Sequence, residues 1–194
     1  MIVNEIFYSL QGEGYHVGTP AIFIRFSGCN LRCPFCDTHH ESGHKMSEAD
    51  ILRAVAAYPA KHIVLTGGEP SLQVTSSLID ELHQAGKYVA IETNGTHSIP
   101  SNIDWITLSP KNAIATDRNT PIIINRCDEI KLVFTGSPLP DYSHILTQHR
   151  FLQPCDTGCA ENNKTILKQT VDYCKAHPEW RLSLQTHKLI DIPW

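Results

Sequence analysis

PAIFIRFSGCNLRCPFC (Pro20–Cys36) decides how this chain is read. Its first part, Pro20–Gly28, is a β-rich apolar run ending in glycine, and Cys29, Cys33 and Cys36 follow directly. A strand whose carboxyl end opens into a ligand-bearing loop is the plan of barrels and open α/β sheets, which bind their ligands at that end. The Cys-x3-Cys-x2-Cys spacing brings three thiolates close enough to clasp three corners of one iron–sulfur cube. The fourth iron is then left without a protein ligand. An open iron is a place for chemistry, whereas a closed cluster or structural zinc normally takes four protein ligands. The spacing differs from the paired Cys-x2-Cys of zinc ribbons, and no matching pair stands downstream. A zinc site and a set of buried thiols are the alternatives.

Outward from this stretch the same theme repeats. HIVLTGGEP (His62–Pro70), YVAIETNG (Tyr88–Gly95), WITLSPK (Trp105–Lys111), EIKLVF (Glu129–Phe134), RFLQP (Arg150–Pro154) and RLSLQT (Arg181–Thr186) read as further strands. Ser47–Asp50 is a capped helix start leading into ILRAVAAY, Leu72–Ala85 is a helix closed by Gly86, and Asn162–Ala176 is a third helix. Strands alternating with helices, and apolar throughout rather than at every second residue, indicate a parallel sheet covered by helices. The chemically suggestive residues fall at strand ends: the cysteines, then GGEP, ETNG, SPK and QPCD. Helices are fewer than strands, so the expected fold is α/β, a partial TIM-like barrel, in a single domain over 1–194.

The chain has 194 residues, 41% of them hydrophobic, which suits one domain with a real core. Its net charge of −4 and pI near 6.2 give no broad surface for nucleic acid or membrane. No apolar run is long enough to span a bilayer, and MIVNEIFYSL lacks the basic region of a leader, so a cytoplasmic protein is expected. Seven cysteines fit a reducing compartment, with thiols kept for metals or catalysis. Cys155 and Cys159 raise a second cluster as an alternative, but two further close ligands are missing and free thiols are the better reading. His39, His40 and His44 read as a solvated loop rather than a metal site.

Thr66–Pro70 (TGGEP) opens a strand into a loop, and its glycines let a ligand approach the backbone closely. Beside the cysteine triplet it reads as a cradle for the ammonium group of S-adenosylmethionine, with Ser109 and Lys111 reaching its ribose and carboxylate ends. With these motifs in view, the chain resembles radical S-adenosylmethionine enzymes, and among them the 7-carboxy-7-deazaguanine synthase family of the queuosine pathway. NEIFYSLQGEG (Asn4–Gly14), PAIFIRFSGC, CPFCDT (Cys33–Thr38), TGGEP, IETNGT (Ile91–Thr96), SPK and LQTHK (Leu184–Lys188) carry the resemblance, which spans essentially the whole chain.

The resemblance implies a 4Fe–4S cluster, S-adenosylmethionine regenerated in each turnover, and Mg2+. The implied reaction is hydrogen abstraction from carbon 6 of 6-carboxy-5,6,7,8-tetrahydropterin, then ring contraction and loss of ammonia. A homodimer and an electron donor such as flavodoxin are implied too. Carried over by position, Cys29, Cys33 and Cys36 hold the cluster and Thr38 the magnesium. Gly68, Ser109, Pro110, Lys111, Gln153, Pro154, Cys155 and Asp156 line the S-adenosylmethionine site. Leu10, Gln11, Gly12, Arg25 and Thr66 hold the substrate, Arg25 pairing bidentately with its carboxylate. An arginine inside IFIRF points to a barrel interior, the competing reading being a surface ion pair. Glu92, at the end of an apolar strand, is either a catalytic proton acceptor or a structural hydrogen-bond partner. Some members end at a proline whose free carboxylate reaches the substrate; here Pro193 matches that place but Trp194 follows it, so either the terminal carboxylate is displaced or the tail bends differently, with Pro193 and Trp194 the substrate-contact candidates. The rivals are a radical activating enzyme acting on a partner protein and a zinc-binding interaction module.

Overall fold

The computed structural model describes residues 1–36, 38, 42–112, 114–115, 120–136 and 138–194. Its backbone is built around seven parallel strands, β2 (Pro20–Phe26), β4 (His62–Gly67), β5 (Tyr88–Thr93), β6 (Trp105–Leu108), β7 (Glu129–Phe134), β8 (His149–Pro154) and β9 (Arg181–Leu182). Antiparallel β1 (Ile2–Leu10) and the two-residue β3 (His44–Lys45) extend the β2 edge, giving the order β3-β1-β2-β4-β5-β6-β7-β8-β9. The end strands do not pair, so the sheet is open, as a partial barrel requires.

Helices cover the outer face of the sheet, as a partial barrel requires. Ile22, Ile24, Phe26, Ile63, Leu65 and Ile91 pack with α1 (Glu48–Val55) and α2 (Ser76–Gln84). Leu108, Ile130, Leu132 and Leu152 pack with Ile166 and Tyr173 of α3 (Ala160–Ala176). Successive strand residues point to opposite faces, and the intervening ones, Arg25, Thr66, Glu92, Lys131 and Gln153, line the concave side. Arg25, Lys131 and Gln153 are buried there alongside the apolar residues of the other face, which is why the strands lack an obvious alternation of exposure.

The local starts and stops follow side-chain chemistry. The capping box at Ser47 and Asp50 is formed, with Asp50 N donating to Ser47 Oγ at 3.2 Å and Ser47 N to Asp50 Oδ2 at 3.1 Å. The helix expected from Leu72 instead begins at Ser76. Pro70–Leu72 is a separate 3-10 turn, and Thr75 Oγ1 caps α2 by accepting from Leu78 N at 3.2 Å. RLSLQT contains only the short β9, followed by one helical turn, α4 (Thr186–Leu189). Strand β1 escapes the sequence reading. It is a half-exposed antiparallel strand with a bulge between Val3 and Glu5, so it lacks the continuous apolar run of its neighbours.

Candidate active site

Five strand ends meet at one cavity of about 230 Å³. Cys29, Cys33 and Cys36 all line it, as do Gly68, Ser109, Lys111, Gln153, Pro154, Cys155 and Asp156. Leu10, Gln11, Gly12, Arg25, Thr38, Thr66, Glu92 and Trp194 line it as well. Two expected site residues stand apart from this lining. Pro110 is buried outside the cavity, and Pro193 is tied to β1, its carbonyl accepting from Ser9 Oγ at 2.6 Å. Asp37, His39, His40 and Glu41 lie outside the described residues. His44 is exposed on β3.

The cysteine loop is held by neighbouring loops. Asn94 Nδ2 donates to Asn30 Oδ1 at 3.1 Å, and Asn30 Nδ2 to Thr96 Oγ1 at 2.9 Å. ETNGT is therefore more than a turn; it anchors the segment between the first two cysteines. Glu69, 1% exposed, ties the same loops together. Its carboxylate accepts from Thr93 Oγ1, Asn94 N and Ser71 N at 2.7, 2.7 and 3.1 Å. The GGEP glycines also serve this docking. A Cβ on Gly68 would lie 2.0 Å from the carbonyl oxygen of Gly28, and one on Gly67, whose φ is +119°, 2.2 Å from that of Phe26. The amides of Gly68 and Glu69 donate to Phe26 and Gly28 carbonyls at 3.0 and 2.9 Å.

Opposite the cysteines the two ends of the chain clasp one another. Thr186 donates to the Gly12 carbonyl from both N (3.0 Å) and Oγ1 (2.8 Å), and Gly14 N donates to Ser183 Oγ at 2.9 Å. A Cβ on Gly12 would fall 2.1 Å from His187 Nδ1, so LQGEG needs its glycine where QTHK lies against it. Trp194 stacks on His187 with ring centres 5.0 Å apart. Lys188 pairs with Asp156 at 2.9 Å; that bond, with the Gly158 amide and Asn163, holds the Asp156 carboxyl down to about 2.

A charged network crosses the concave floor. Gln11 Nε2 donates to Glu92 Oε1 at 2.9 Å, and Lys131 Nζ lies 3.4 Å from Glu92 Oε2 while also bonding Glu13. Glu13 Oε1 accepts from Gln153 and Gln185, each at 3.0 Å. Burial pushes the Glu13 carboxyl up, but Lys131, the Gln185 amide and the charge of His187 outweigh it and hold it at about 2. Burial raises the Glu129 carboxyl against the pull of Lys131. Burial, then the charge of Lys131, lowers Lys111. Arg25 joins both readings of it: it faces the cavity, and its Nε pairs with Glu5 at 2.8 Å. Sequence reasoning assigns no role to Glu13, Glu69, Lys131, Gln185 or His187. A lysine centred in EIKLVF and a glutamate within LQGEG are the signals that could have found two of them.

Residues 23–111 match the Radical SAM superfamily. A 7-carboxy-7-deazaguanine synthase of Bacteroides thetaiotaomicron is 57% identical over 190 residues, covering 98% of this chain and 97% of that relative. The chain belongs to the 7-carboxy-7-deazaguanine synthase family of radical SAM enzymes. The synthase of Burkholderia multivorans is 41% identical, with 98% of each chain covered. The crystal structure of QueE from Escherichia coli superposes with a TM-score of 0.74 at 29% identity, covering 94% of this chain and 92% of that one.

Membership in a radical SAM family brings a 4Fe–4S cluster and S-adenosylmethionine, and the donor set here fits them. None of the seven cysteines is tied up in a disulfide, and Cys29, Cys33 and Cys36 share the cavity. Leu31 N donates to Cys29 Sγ at 3.4 Å, the kind of bond that steadies a ligating sulfur. Burial raises the Cys29 thiol against the pull of the Leu31 amide; burial raises Cys33 to about 11, partly offset by Lys111. Such thiols stay protonated until a metal takes the proton's place. Among the described residues no three His, Cys, Asp or Glu side chains gather around a single ion. Cys159 is exposed at the start of α3 and Cys127 lies in the outer core, so neither stands beside Cys155 in this cavity.

Proposed function

We propose that this chain converts 6-carboxy-5,6,7,8-tetrahydropterin to 7-carboxy-7-deazaguanine with loss of ammonia. The observation that carries the reading is the clasp of LQGEG on QTHK at a cavity that the cysteine triplet also lines. A concave cavity of about 230 Å³ whose lining includes Arg25 and Lys131 suits a small carboxylated heterocycle. When bound, the cluster and S-adenosylmethionine supply hydrogen-atom abstraction from the substrate.

The chain's own residues bind and orient. Arg25 offers its guanidinium to the substrate carboxylate, and Thr38, which lines the same cavity, would hold Mg2+ through its hydroxyl, the ion supplying positive charge to that carboxylate. Gln11 and Gly12 set the pterin against Glu92, which takes a proton from the substrate; Glu92 is suited to this because its side chain is 23% exposed at the cavity while Glu13 is saturated. Trp194, with His187 beneath it, walls the mouth in place of the Pro193 contact. Cys36 is exposed, so electrons can enter at that edge from a carrier such as flavodoxin. A homodimer and a cytoplasmic setting belong to the same proposal. No helix among the described residues is long and apolar enough to cross a membrane.

Anaerobically reconstituted protein given the tetrahydropterin, S-adenosylmethionine, Mg2+ and dithionite is expected to yield 7-carboxy-7-deazaguanine and ammonia. Absence of both products from protein with full iron content would overturn the assignment.

A further inference from the structure

Lys131 has no task in the activity as proposed so far, yet it is the most completely paired charge in the cavity. Its side chain is 4% exposed, and a lysine is seldom buried that far unless its ammonium is well partnered. On one side stands Glu13, already accepting from Gln153 and Gln185. On the other, 3.4 Å away, stands Glu92 Oε2, which faces the substrate space. The other charges acting on this network among the described residues are Glu129 on β7, Lys111 after β6 and His187 beside Glu13. One ammonium thus bridges a saturated carboxylate and an open one.

A lyase that releases ammonia must take a proton from carbon and deliver one to the departing nitrogen. We propose that Lys131 closes this circuit: it gives a proton from Nζ to the leaving nitrogen and is recharged by Glu92, which has taken the proton from carbon. The electron pair of the broken C–H bond enters the ring π system, and the C–N pair leaves with the nitrogen, which departs as neutral ammonia. Glu92 returns to carboxylate and Lys131 to ammonium in every turnover, with no net proton drawn from solvent. The inference rests on the reading of Glu92 as proton acceptor and of the reaction as ammonia loss.

The electrostatics set the order of events. Burial works against the charge on Lys131, but Glu13, Glu92 and Glu129 outweigh it and hold the ammonium well above the usual lysine range. A proton arriving on Glu92 cancels one of those charges, so Lys131 becomes a better acid only once Glu92 is loaded. Glu13, held at about 2, stays ionised as the fixed counter-charge and does not intercept the proton.

The test separates hydrogen-atom transfer from ammonia release. With substrate deuterated at carbon 6, Lys131→Met is expected to pass deuterium into S-adenosylmethionine at a rate within about threefold of the parent. Its ammonia release is expected to fall roughly 100-fold or more. Added ethylamine should recover part of that loss. Lys131→Met leaves Glu13 without its cation, so Lys131→Met/Glu13→Gln is made alongside it, with iron content and substrate binding by calorimetry confirming an intact site. Equal losses in deuterium transfer and ammonia release, or normal ammonia release by the double variant, would overturn the relay. Glu92→Gln distinguishes the levels. If it releases ammonia normally, the proton-acceptor reading fails and takes the relay with it. If it is blocked while Lys131→Met is normal, only the relay fails.

Discussion

Arg25 and Glu5 show how one side chain answers to two demands. Arg25 is 7% exposed on the concave side of β2, its Nε bonded to Glu5 at 2.8 Å and its guanidinium 5.4 Å from the Phe7 ring centre. Among the described residues no hydrogen bond is made by its two terminal nitrogens, and those are the pair that can grip a carboxylate with two parallel bonds. Lysine brings a single point charge and cannot reproduce that grip. Arg25→Lys should therefore weaken substrate binding about 10-fold or more, read by calorimetry without reductant. Glu5 is half exposed, so its pairing contributes little; Glu5→Gln should change unfolding free energy by less than about 1 kcal/mol. Unchanged binding in Arg25→Lys would remove Arg25 from the substrate site. The burial of Arg25 was legible from its position inside IFIRF. Its partner was not, because which residue of β1 lies across from Arg25 depends on an antiparallel register shifted by the bulge after Val3.

The loops at the strand ends depend on backbone approach as much as on side chains. Gly68 and Gly86 make a useful pair for showing this. Gly86 has φ +72°, but a methyl group added there would meet nothing within 4 Å, so its role is conformational: it closes α2 in the left-handed region. Gly86→Ala should cost about 1–2 kcal/mol and leave the iron content of reconstituted protein unchanged. In Gly68 the added Cβ would meet backbone, the Gly28 carbonyl, rather than a side chain that can swing aside. Gly68→Ala must push the end of β4 away from the cysteine loop. We expect a lower melting temperature together with substoichiometric iron, and iron content equal to the parent would show that the loop tolerates the shift. From sequence the GGEP glycines suggested room for a ligand; the contacts assign them first to docking one loop on another. That difference is illegible in a single chain, since a turn glycine required by φ and one required by a neighbour look alike.

At the scale of the whole molecule, the strand ends named by the sequence do converge on one mouth, because parallel strands carry all their carboxyl ends to one side. What periodicity could not reveal was the opposite end. There the loop after β1 runs beneath the sheet, and Tyr15 and His16 pack among the first residues of β4, β5, β6 and β8. Tyr15 stacks on Trp105 and His149, and His16 packs on Trp105 and on His62, with centres 4.5 and 4.7 Å apart. These residues are separated by dozens of positions, so only the folded topology joins them. The floor also carries a pH liability. His62 is 8% exposed, its Nε2 finds no hydrogen-bond partner among the described residues, and burial followed by the charge of His16 lowers it from 6.5 to about 4. Burial lowers His16 too, partly opposed by Asp128. A histidine depressed in the folded state stabilises the fold fully only above its unfolded value. As pH falls below 6.5 the unfolded chain binds a proton that the folded chain refuses until about 4. Across that window His62 should withdraw up to about 3 kcal/mol of stability, an upper figure for a site only partly shielded from solvent. His62→Phe keeps the stack on Tyr88, whose ring lies 5.3 Å away, and removes both the proton site and the unpaired nitrogen. Its unfolding free energy should be at least that of the parent at pH 7 and should decline less steeply between pH 6.5 and 4, followed by urea denaturation at each pH. Parallel pH profiles for the two proteins would mean that the acid sensitivity of the floor arises elsewhere than at His62.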